Sequence, residues 1–358
     1  MNATPAFRFG CFLSLFILSF LLFGCGRSEQ QYVVLYASAD EYVAREVITA
    51  FQEETGIRVR FTGDTEAKKT TGLVERLRAE YASGKPQADV FWSSEIFMTL
   101  DLADEGVLEA HHSDTTKDWP ATFRDPNGLW YGFAARGRVI VFAPGRVPDE
   151  DLPETWMDLS RSTYKGRVVM ADPRFGTTGG HFGAMKAYWD REYQPGIYSA
   201  FLLGLAENET RLLASGNAGV VRAVANGEAD FGMTDTDDVW AAQAQGMKVD
   251  LIYARHSRHD DPGTGTLLIP NTVARVKGGP NPDAAAKLID FLLSERVERM
   301  LAESVSGNVP IRRGLAEKYP HRAVPNPLAI DFRRAAAVRV EAVDEAMRVL
   351  REGQRGDE

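Results

Sequence analysis

The stretch YVVLYASADEYVAREVITAFQEETGIRVRF, residues 32–61, decides the fold class. Its first residues, Tyr32 to Tyr36, form an apolar, β-branched and aromatic run that is typical of a buried strand. Apolar residues then recur at helical spacing from Glu41 to Thr55, and Gly56 ends this predicted helix. The alternating run from Ile57 to Phe61 predicts a second strand. Strand, helix and strand in this order predict a βαβ unit, whose two strands lie parallel in one sheet.

The alternation continues along the chain. A helix is predicted from Thr71 to Ser83, a buried strand from Ala88 to Trp92, and a further helix that runs to Glu105. Ligands of parallel sheets bind at the carboxyl ends of the strands. Residues 38–41 and 93–95 directly follow two of these strands, so we expect them at the binding edge of the sheet.

The centre of the chain predicts a crossing between two lobes. The long strand-like run WYGFAARGRVIVF covers residues 130–142, and GTLLIPNTVARV, residues 265–276, reads as the return. We therefore predict an α/β protein of two lobes, each a mixed sheet flanked by helices, with a ligand cleft between them. The predicted boundaries are residues 32–134 and 265–310 for lobe one and residues 135–264 and 311–358 for lobe two. Helices of the later chain are predicted at residues 181–189, 195–206, 217–226 and 282–304.

The N-terminal residues carry the features of an export signal. The apolar run from Cys11 to Phe23 has 13 residues, fewer than the roughly 20 that a membrane-spanning helix needs. The sequence LFGC, which ends at Cys25, resembles the bacterial lipoprotein box. Residues 1–24 are thus predicted to be a lipoprotein signal peptide, Cys25 the lipidated residue and residues 25–31 a polar tether. A plain secretory signal and an uncleaved anchor are the alternatives.

Composition excludes several classes of function. The 358 residues include 41 Lys and Arg against 50 Asp and Glu, a net charge of −9 that argues against a nucleic-acid partner. The two cysteines, Cys11 and Cys25, both lie in the signal region, so the exported body has no disulfide and no thiolate site. Neither G-x-S-x-G nor H-E-x-x-H occurs, and we predict that the protein is not an enzyme.

The acidic stretch FGMTDTDDVW, residues 231–240, has two interpretations. In the first, Thr236 or Asp237 caps a following helix and the carboxylates favour its positive end. In the second, Asp235, Asp237 and Asp238 end a strand and face the cleft. With Asp40 and Glu95 they would then form a site of oxygen ligands suited to a hard cation. The same aspartates would also hold the ammonium or hydroxyl groups of an organic solute.

Other polar segments also have two interpretations. GTTGG, residues 176–180, begins a helix with free backbone N–H groups, which predicts an anion site or a simple helix cap. Arg136 and Arg138 share one face of a strand, where they would neutralise a bound anion or the acidic cluster, or form a salt bridge at the surface or between the lobes. The histidine pairs at residues 111–112 and at residues 256 and 259 are expected in solvated loops.

Five stretches together resemble a known family, the periplasmic solute-binding proteins of ABC importers that include the ferric-ion-binding proteins. They are VVLYASADEYVAREVITAFQEETGI, ADVFWSSEI, ARGRVIVF, VVMADPRFGTTGGHFG and AVANGEADFGMTDTDD. The resemblance implies the two-lobed periplasmic-binding-protein fold, of the type II kind, that closes on a solute. It also implies a monomer in the periplasm that delivers its solute to a permease and an ATPase in the inner membrane.

The sequence departs from the ferric subgroup at most metal-binding positions. Asp40 stands where that subgroup commonly has histidine, and its glutamate position falls on Ser94, with Glu95 next to it. Its pair of iron-binding tyrosines falls on Asp237 and Asp238. The anion pocket implied by the family is better preserved, with residues Gly179, Gly180, His181, Asn217 and Asp235.

The ligand set predicted from residues and resemblance together spans both lobes. Its metal-binding members are Asp40, Glu95, Asp237 and Asp238, and its other members are Arg136, Thr178, Gly179, Gly180, His181, Asn217 and Asp235. No resident cofactor is predicted. The solute is expected to be iron(III) or another hard cation, with an accompanying anion. A phosphonate, a sugar phosphate or another organic anion is the alternative solute, and a sensory receptor of the same fold is the alternative function.

Overall fold

The computed structural model describes Met1, residues 30–63 and residues 70–355. The predicted signal peptide and Cys25 lie outside the described residues. Within them, no helix is long and apolar enough to cross a membrane.

The described residues form one mixed sheet with helices on both faces. The strands are β1 (Tyr32–Ala37), β2 (Arg58–Gly63), β3 (Val90–Ser93), β4 (Leu108–Glu109), β5 (Tyr131–Phe142), β6 (Val168–Ala171), β7 (Arg211–Leu213), β8 (Phe231–Asp235), β9 (Asp250–Ile252) and β10 (Leu268–Val276). The helices are α1 (Glu41–Thr55), α2 (Thr71–Ala82), α3 (Phe97–Asp104), α4 (Gly176–Glu192), α5 (Ile197–Glu207), α6 (Gly216–Asn226), α7 (Thr236–Ala244), α8 (Pro282–Leu292), α9 (Glu295–Glu303), α10 (Arg313–Ala316) and α11 (Phe332–Arg355). The strand order is β2-β1-β3-β10-β5-β8-β6-β7, with β4 beside β10 and β9 beside β5.

The first βαβ unit forms as the sequence predicts. β1 lies parallel to both β2 and β3, and α1 has the predicted bounds. Its apolar face, which includes Val47 and Phe51, is buried. Gly56 ends the helix in a left-handed conformation with φ 70°, and its N–H donates to the Gln52 carbonyl. Glycine adopts this conformation without the steric cost that a Cβ atom brings.

β5 connects the two halves of the sheet. Its first residues pair with β10, whereas its second half pairs with β8 and β9. A bulge interrupts the β10 pairing between Pro270 and Asn271, opposite Ala134, whose φ is 53°. The predicted crossing strand is therefore present, and it carries Arg136 and Arg138 at the junction.

Two predicted helices differ from the structure by more than two residues. α4 begins at Gly176 rather than at residue 181, so the glycine-threonine segment is its first turn. The helix expected over residues 282–304 is two helices, α8 and α9, because the Ser294 side chain accepts a hydrogen bond from the Val297 N–H and starts a new helix.

The apolar cores show how the halves are joined. One core contains α2 and α3 side chains from the first half together with α4, α5 and α11 side chains from the second. On the remaining faces, α1, α8 and α9 cover one separate core, and α6 and α7 cover another. The lobe boundaries given above stay predictions.

The close packing of α3 on α4 predicts that one added methyl group at Gly180 lowers the stability of the fold. A Cβ atom at Gly180 would lie 2.2 Å from ring carbons of Phe97, whereas a Cβ at Gly314 of α10 would have no neighbour within 4 Å. Gly180→Ala is therefore expected to lower the free energy of unfolding by about 1–3 kcal/mol through overpacking. Gly314→Ala, the matched control, is expected to be neutral or slightly stabilising. Urea denaturation measures both, and equal effects would contradict the packing.

Candidate functional site

A cleft lies where the ends of several strands and helices from both halves meet. Asp40, Asp237 and Asp238 line both of its two hollows, the larger of which is about 300 Å³. Asp40 follows β1, and the other two aspartates lie in the first turn of α7. The cleft is thus lined by carboxylates from both halves. The other lining residues with polar side chains are Tyr42, Ser94, Arg136, Asp172, Thr177, Thr178, Asn217, Arg222, Asp235, Gln245 and Ser306.

Asp235 is held by the protein itself. One carboxylate oxygen accepts a hydrogen bond from Arg138 at 2.7 Å, and the other accepts from Thr177 at 2.6 Å and Asn217 at 2.8 Å. Asp235 and Arg138 are fully buried, and the two residues face each other in the pairing of β5 with β8. These contacts occupy both oxygens, so Asp235 fixes the floor of the cleft.

A buried chain of hydrogen bonds continues from Arg138. Its Nε–H group donates to His181 Nδ1 at 3.3 Å, and His181 Nε2 lies 3.0 Å from His256 Nε2. His256 Nδ1 lies 2.8 Å from the Gly265 carbonyl oxygen. Donation to that carbonyl assigns the proton of His256 to Nδ1, so His181 carries its proton on Nε2, and both imidazoles are neutral.

These contacts correct three predictions about histidines. His181, expected in an anion pocket, is fully buried and packs on Trp156, with ring centroids 4.4 Å apart. His256 was expected in a solvated loop but is 2% exposed. His111, also expected in a solvated loop, is buried, and its Nε2 lies 2.9 Å from Asp290. The sequence missed these contacts because they form between separate elements: His181 and His256 are 75 residues apart, and His111 and Asp290 are 179 residues apart.

Arg136 lies among the remaining carboxylates. Its guanidinium forms an ion pair with Asp237 at 3.0 Å and donates to Asn271 at 3.0 Å. Burial lowers the pKa of Arg136, but Asp237 and the other nearby aspartates raise it, and the net pKa lies above the ordinary value. Arg136 therefore neutralises part of the acidic cluster and stays charged.

Tyr42 is a cleft residue that the sequence reasoning missed. It lies in the first turn of α1, two residues after Asp40, and lines the larger hollow together with Ser306. Burial and the carboxylates of Asp40, Asp237 and Asp238 raise the pKa of its phenol, partly opposed by Ser306. Its place in the first turn of the predicted helix, two residues after Asp40, is the sequence feature that indicates a cleft position.

Glu95 is a different kind of residue from the one predicted. Its carboxylate accepts hydrogen bonds from the N–H groups of Phe97 at 2.7 Å and Met98 at 3.0 Å, so it caps α3. The side chain is 2% exposed, and burial raises its pKa to about 7. Ser94 lines the cleft in its place. These contacts do not support Glu95 as a ligand of a solute or metal.

The glycines of α4 serve close packing. A Cβ atom at Gly179 would lie 2.4 Å from the Pro173 carbonyl oxygen, and Gly180 meets Phe97. Thr178 and Asn217 do line the cleft, with 3.4 Å between the Thr178 hydroxyl and the Asn217 amide oxygen. The first turn of α4 thus reaches the cleft through Gly176, Thr177 and Thr178.

The structure separates the two interpretations of the acidic stretch. Asp235, and not Thr236 or Asp237, is the N-cap of α7, and its side chain forms no capping hydrogen bond. Thr236 instead accepts a hydrogen bond from the Gly137 N–H at 3.1 Å. Among the described residues, Asp235, Asp237 and Asp238 form the group whose ligand oxygens all lie within 4.8 Å of one another, a spacing that could hold a metal ion. Asp237 and Asp238 are therefore placed for the cleft.

Comparison with known proteins assigns the chain to a family. The sequence profile of the bacterial extracellular solute-binding proteins matches residues 85–334. The chain belongs to this family. The predicted resemblance is thereby confirmed, and so is the prediction that the protein is not an enzyme. An extracytoplasmic location is also supported, because the members are extracellular binding proteins.

Individual relatives agree with this assignment. The chain is 26% identical over 338 residues to the Iron uptake protein A1 of Synechocystis sp., covering 83% of this chain and 84% of that protein. It superposes on iron-bound HitA from Pseudomonas aeruginosa with a TM-score of 0.73 and 24% identity, over 89% of this chain and 99% of HitA. It also superposes on AfuA from Actinobacillus pleuropneumoniae, solved with fructose-6-phosphate, with a TM-score of 0.70 and 19% identity, over 90% and 97% of the chains. These similarities confirm the two-lobed α/β fold of periplasmic binding proteins.

The buried ion pair predicts a strong effect of an isosteric change. Asp235→Asn removes the charge that compensates buried Arg138, and loss of one partner of such a pair costs about 3–5 kcal/mol. Asp230→Asn is the matched control, because Asp230 pairs with Arg167 at 2.6 Å near the surface, where a pair is worth about 0–1 kcal/mol. Urea denaturation should show the larger loss for Asp235→Asn. Losses of the same size would contradict a structural role for Asp235.

The histidine pair predicts a pH-dependent stability. Burial is the main cause that lowers the pKa of His181 well below its ordinary value and that of His256 to about 4. Unfolded histidines bind protons at about pH 6.5. Stability from each histidine is therefore complete above pH 6.5 and falls by about 1 kcal/mol per pH unit as the pH drops toward the folded pKa.

Glu95 acts in the opposite direction, since its raised pKa adds stability as the pH falls through 7. The test therefore compares proteins that all keep Glu95, so that its contribution is the same in each. Urea midpoints measured from pH 7 to pH 5 should fall less steeply for His256→Asn than for the unmodified protein. His112→Gln, which changes an exposed histidine, should keep the original slope. Three identical slopes would contradict the neutral pair.

Proposed function

We propose that this protein is the extracytoplasmic solute-binding component of an ABC importer and that it captures a hard metal cation. Iron(III) is the first candidate cargo, because the relatives named above include an iron uptake protein and an iron-bound protein. The protein would be anchored to the membrane through a lipid on Cys25. A permease and an ATPase of the inner membrane would receive the cargo.

One observation carries the proposal. Carboxylates from both halves of the molecule, Asp40 on one side and Asp237 and Asp238 on the other, line the same cleft. Carboxylate oxygens suit hard cations such as Fe³⁺, Ca²⁺ and Mn²⁺. A cation bound between them would attract both lobes and so favour a closed arrangement.

Tyr42 extends the proposed ligand set. Its phenol lies in the field of the same three aspartates and lines the larger hollow. Phenolic oxygen is a hard donor, and a nearby trivalent cation lowers the pKa of a phenol. Glu95 is left out, since both of its oxygens accept backbone hydrogen bonds. Asp235 would act by fixing Arg138, Thr177 and Asn217 beneath the site.

A second candidate cargo is an organic anion such as a phosphonate or a sugar phosphate. The observation that favours it is a group of hydroxyls beside the cleft. Thr70 donates to Ser38 at 2.9 Å, and Ser38 lies 3.2 Å from Ser94, which lines the cleft together with the first turn of α4. Hydroxyls and backbone N–H groups bind phosphoryl oxygens. AfuA, which shares the fold, was solved with fructose-6-phosphate.

Thermal unfolding with added solutes tests the proposal. Ferric nitrilotriacetate, Mn²⁺ and Ca²⁺ are each added with and without bicarbonate, and glucose-6-phosphate represents the organic anions. A solute at 100 times its Kd stabilises the fold by about 3 kcal/mol. We expect ferric iron to raise the melting temperature, and Asp237→Asn and Asp238→Asn to abolish most of that rise.

Glu46→Gln is the matched control, because Glu46 is an exposed acid on α1, a short way along the helix from Tyr42. It should keep the full response to iron. Tyr42→Phe should weaken the response and remove any visible absorption band of an iron–phenolate pair. If no metal raises the melting temperature, while glucose-6-phosphate does so even in Asp237→Asn, the cargo is the organic anion and the metal proposal is wrong.

A further inference from the structure

The C-terminal helix α11 contacts both halves of the molecule away from the cleft. It packs on α4 and α5 of the second half, and it also touches α3 of the first half. Phe332 at its start meets Phe97 of α3, with ring centroids 6.1 Å apart. Phe97 also fills the space beside Gly180 of α4. One apolar contact thus joins α3, α4 and α11.

Two arginines of α11 add ion pairs to this contact. Arg333 pairs with Asp104 at the end of α3 and with Asp125, in each case at 2.7 Å. Arg339 pairs with Asp101, on the middle turn of α3. The Asp125 side chain is fully buried and also accepts a hydrogen bond from the Asn127 N–H at 2.8 Å. We call Arg333 and Arg339, with their three aspartate partners, the α11 strap.

The helix that carries the strap arginines packs on α3 and α4, and residues at or just before the starts of these two helices line the cleft. α3 begins just after Ser94, and α4 begins at Gly176. Ser94 and Gly176 line the same hollow of the cleft. Because α3 belongs to the first half and α11 to the second, a rotation of one lobe against the other would change the distance between these two helices. The charge of Arg339 in addition lowers the pKa of Glu95, the cap of α3, and so partly opposes the larger, raising effect of burial. The strap is therefore mechanically connected to the site although it does not contact it.

We infer that the α11 strap controls the opening of the cleft. Its ion pairs are formed in an arrangement in which Asp40 of the first half and Asp237 of the second line one cleft. An interaction that exists in one arrangement of the lobes stabilises that arrangement relative to those in which it is broken. The strap therefore favours the arrangement competent for binding, and its loss favours a wider cleft in the absence of solute.

Spin-label distances test this inference without any solute. The chain has two cysteines, Cys11 and Cys25, and serine replaces both. Val305→Cys and Lys248→Cys then place labels on exposed residues next to Ser306 and Met247, which line opposite sides of the cleft. Pulsed electron resonance should show that Arg333→Gln/Arg339→Gln increases the longer-distance population.

Three further proteins make the test specific. Arg334→Gln removes one charge from an exposed arginine of the same helix and should leave the distances unchanged. Arg339→Asp should lengthen them, and Arg339→Asp/Asp101→Arg should restore them. A circular dichroism melt shows that each variant is folded. Distances in the double-glutamine variant that equal those of the Arg334→Gln control would overturn the inference.

The inference does not depend on which solute binds, because the distances are measured on the unliganded protein. For whichever added solute stabilises the unmodified protein, the double-glutamine variant should bind it about 5-fold more weakly, since the competent fraction is reduced. Tighter binding by that variant would overturn the inference. A failure of every metal to bind would instead contradict the proposed metal cargo and leave the distance result standing.

Discussion

The buried pair of Arg138 and Asp235 is the interaction on which the site depends. It joins β5, the strand that connects the two halves, to β8, whose end begins the acidic helix turn. Two fully buried charges are tolerated only when hydrogen bonds satisfy them. Thr177 of α4 and Asn217 of α6 supply those bonds to the aspartate, and His181 accepts one from the arginine. The pair therefore fixes four elements of the second half in a single geometry.

This constraint explains why neighbouring acids have different roles. The charge of Asp235 is compensated inside the protein by Arg138. Asp237 and Asp238, in the first turn of α7, line the cleft instead. Arg136, two residues before Arg138 on the same strand, then neutralises part of their charge. An alternating pair of arginines opposite a row of aspartates thus produces one structural ion pair and one pair at the binding surface.

The buried histidines extend the same network toward the return strand. The chain from Arg138 through His181 and His256 ends on the carbonyl of Gly265, shortly before β10. α11 joins α3 to α4 through Phe97, Phe332 and the two strap arginines. The histidine chain and the α11 contacts thus connect elements that line the cleft with elements of both halves. The geometry of the cleft therefore depends on how the two lobes are arranged.

The sequence by itself determined most of the elements and the order of strands and helices. Local periodicity and capping predicted α1 with its exact bounds, the crossing strand β5 and the aspartates at the end of β8, because these features depend on neighbouring residues. The family, too, was visible in short stretches of sequence. Only the tertiary structure decided which polar groups face the cleft. Glu95, predicted as a ligand, caps a helix, and His181 lies in the core. Tyr42 and Ser94, which were not predicted as ligands, line the cleft. These outcomes depend on partners distant in sequence and on burial, which a local pattern does not encode.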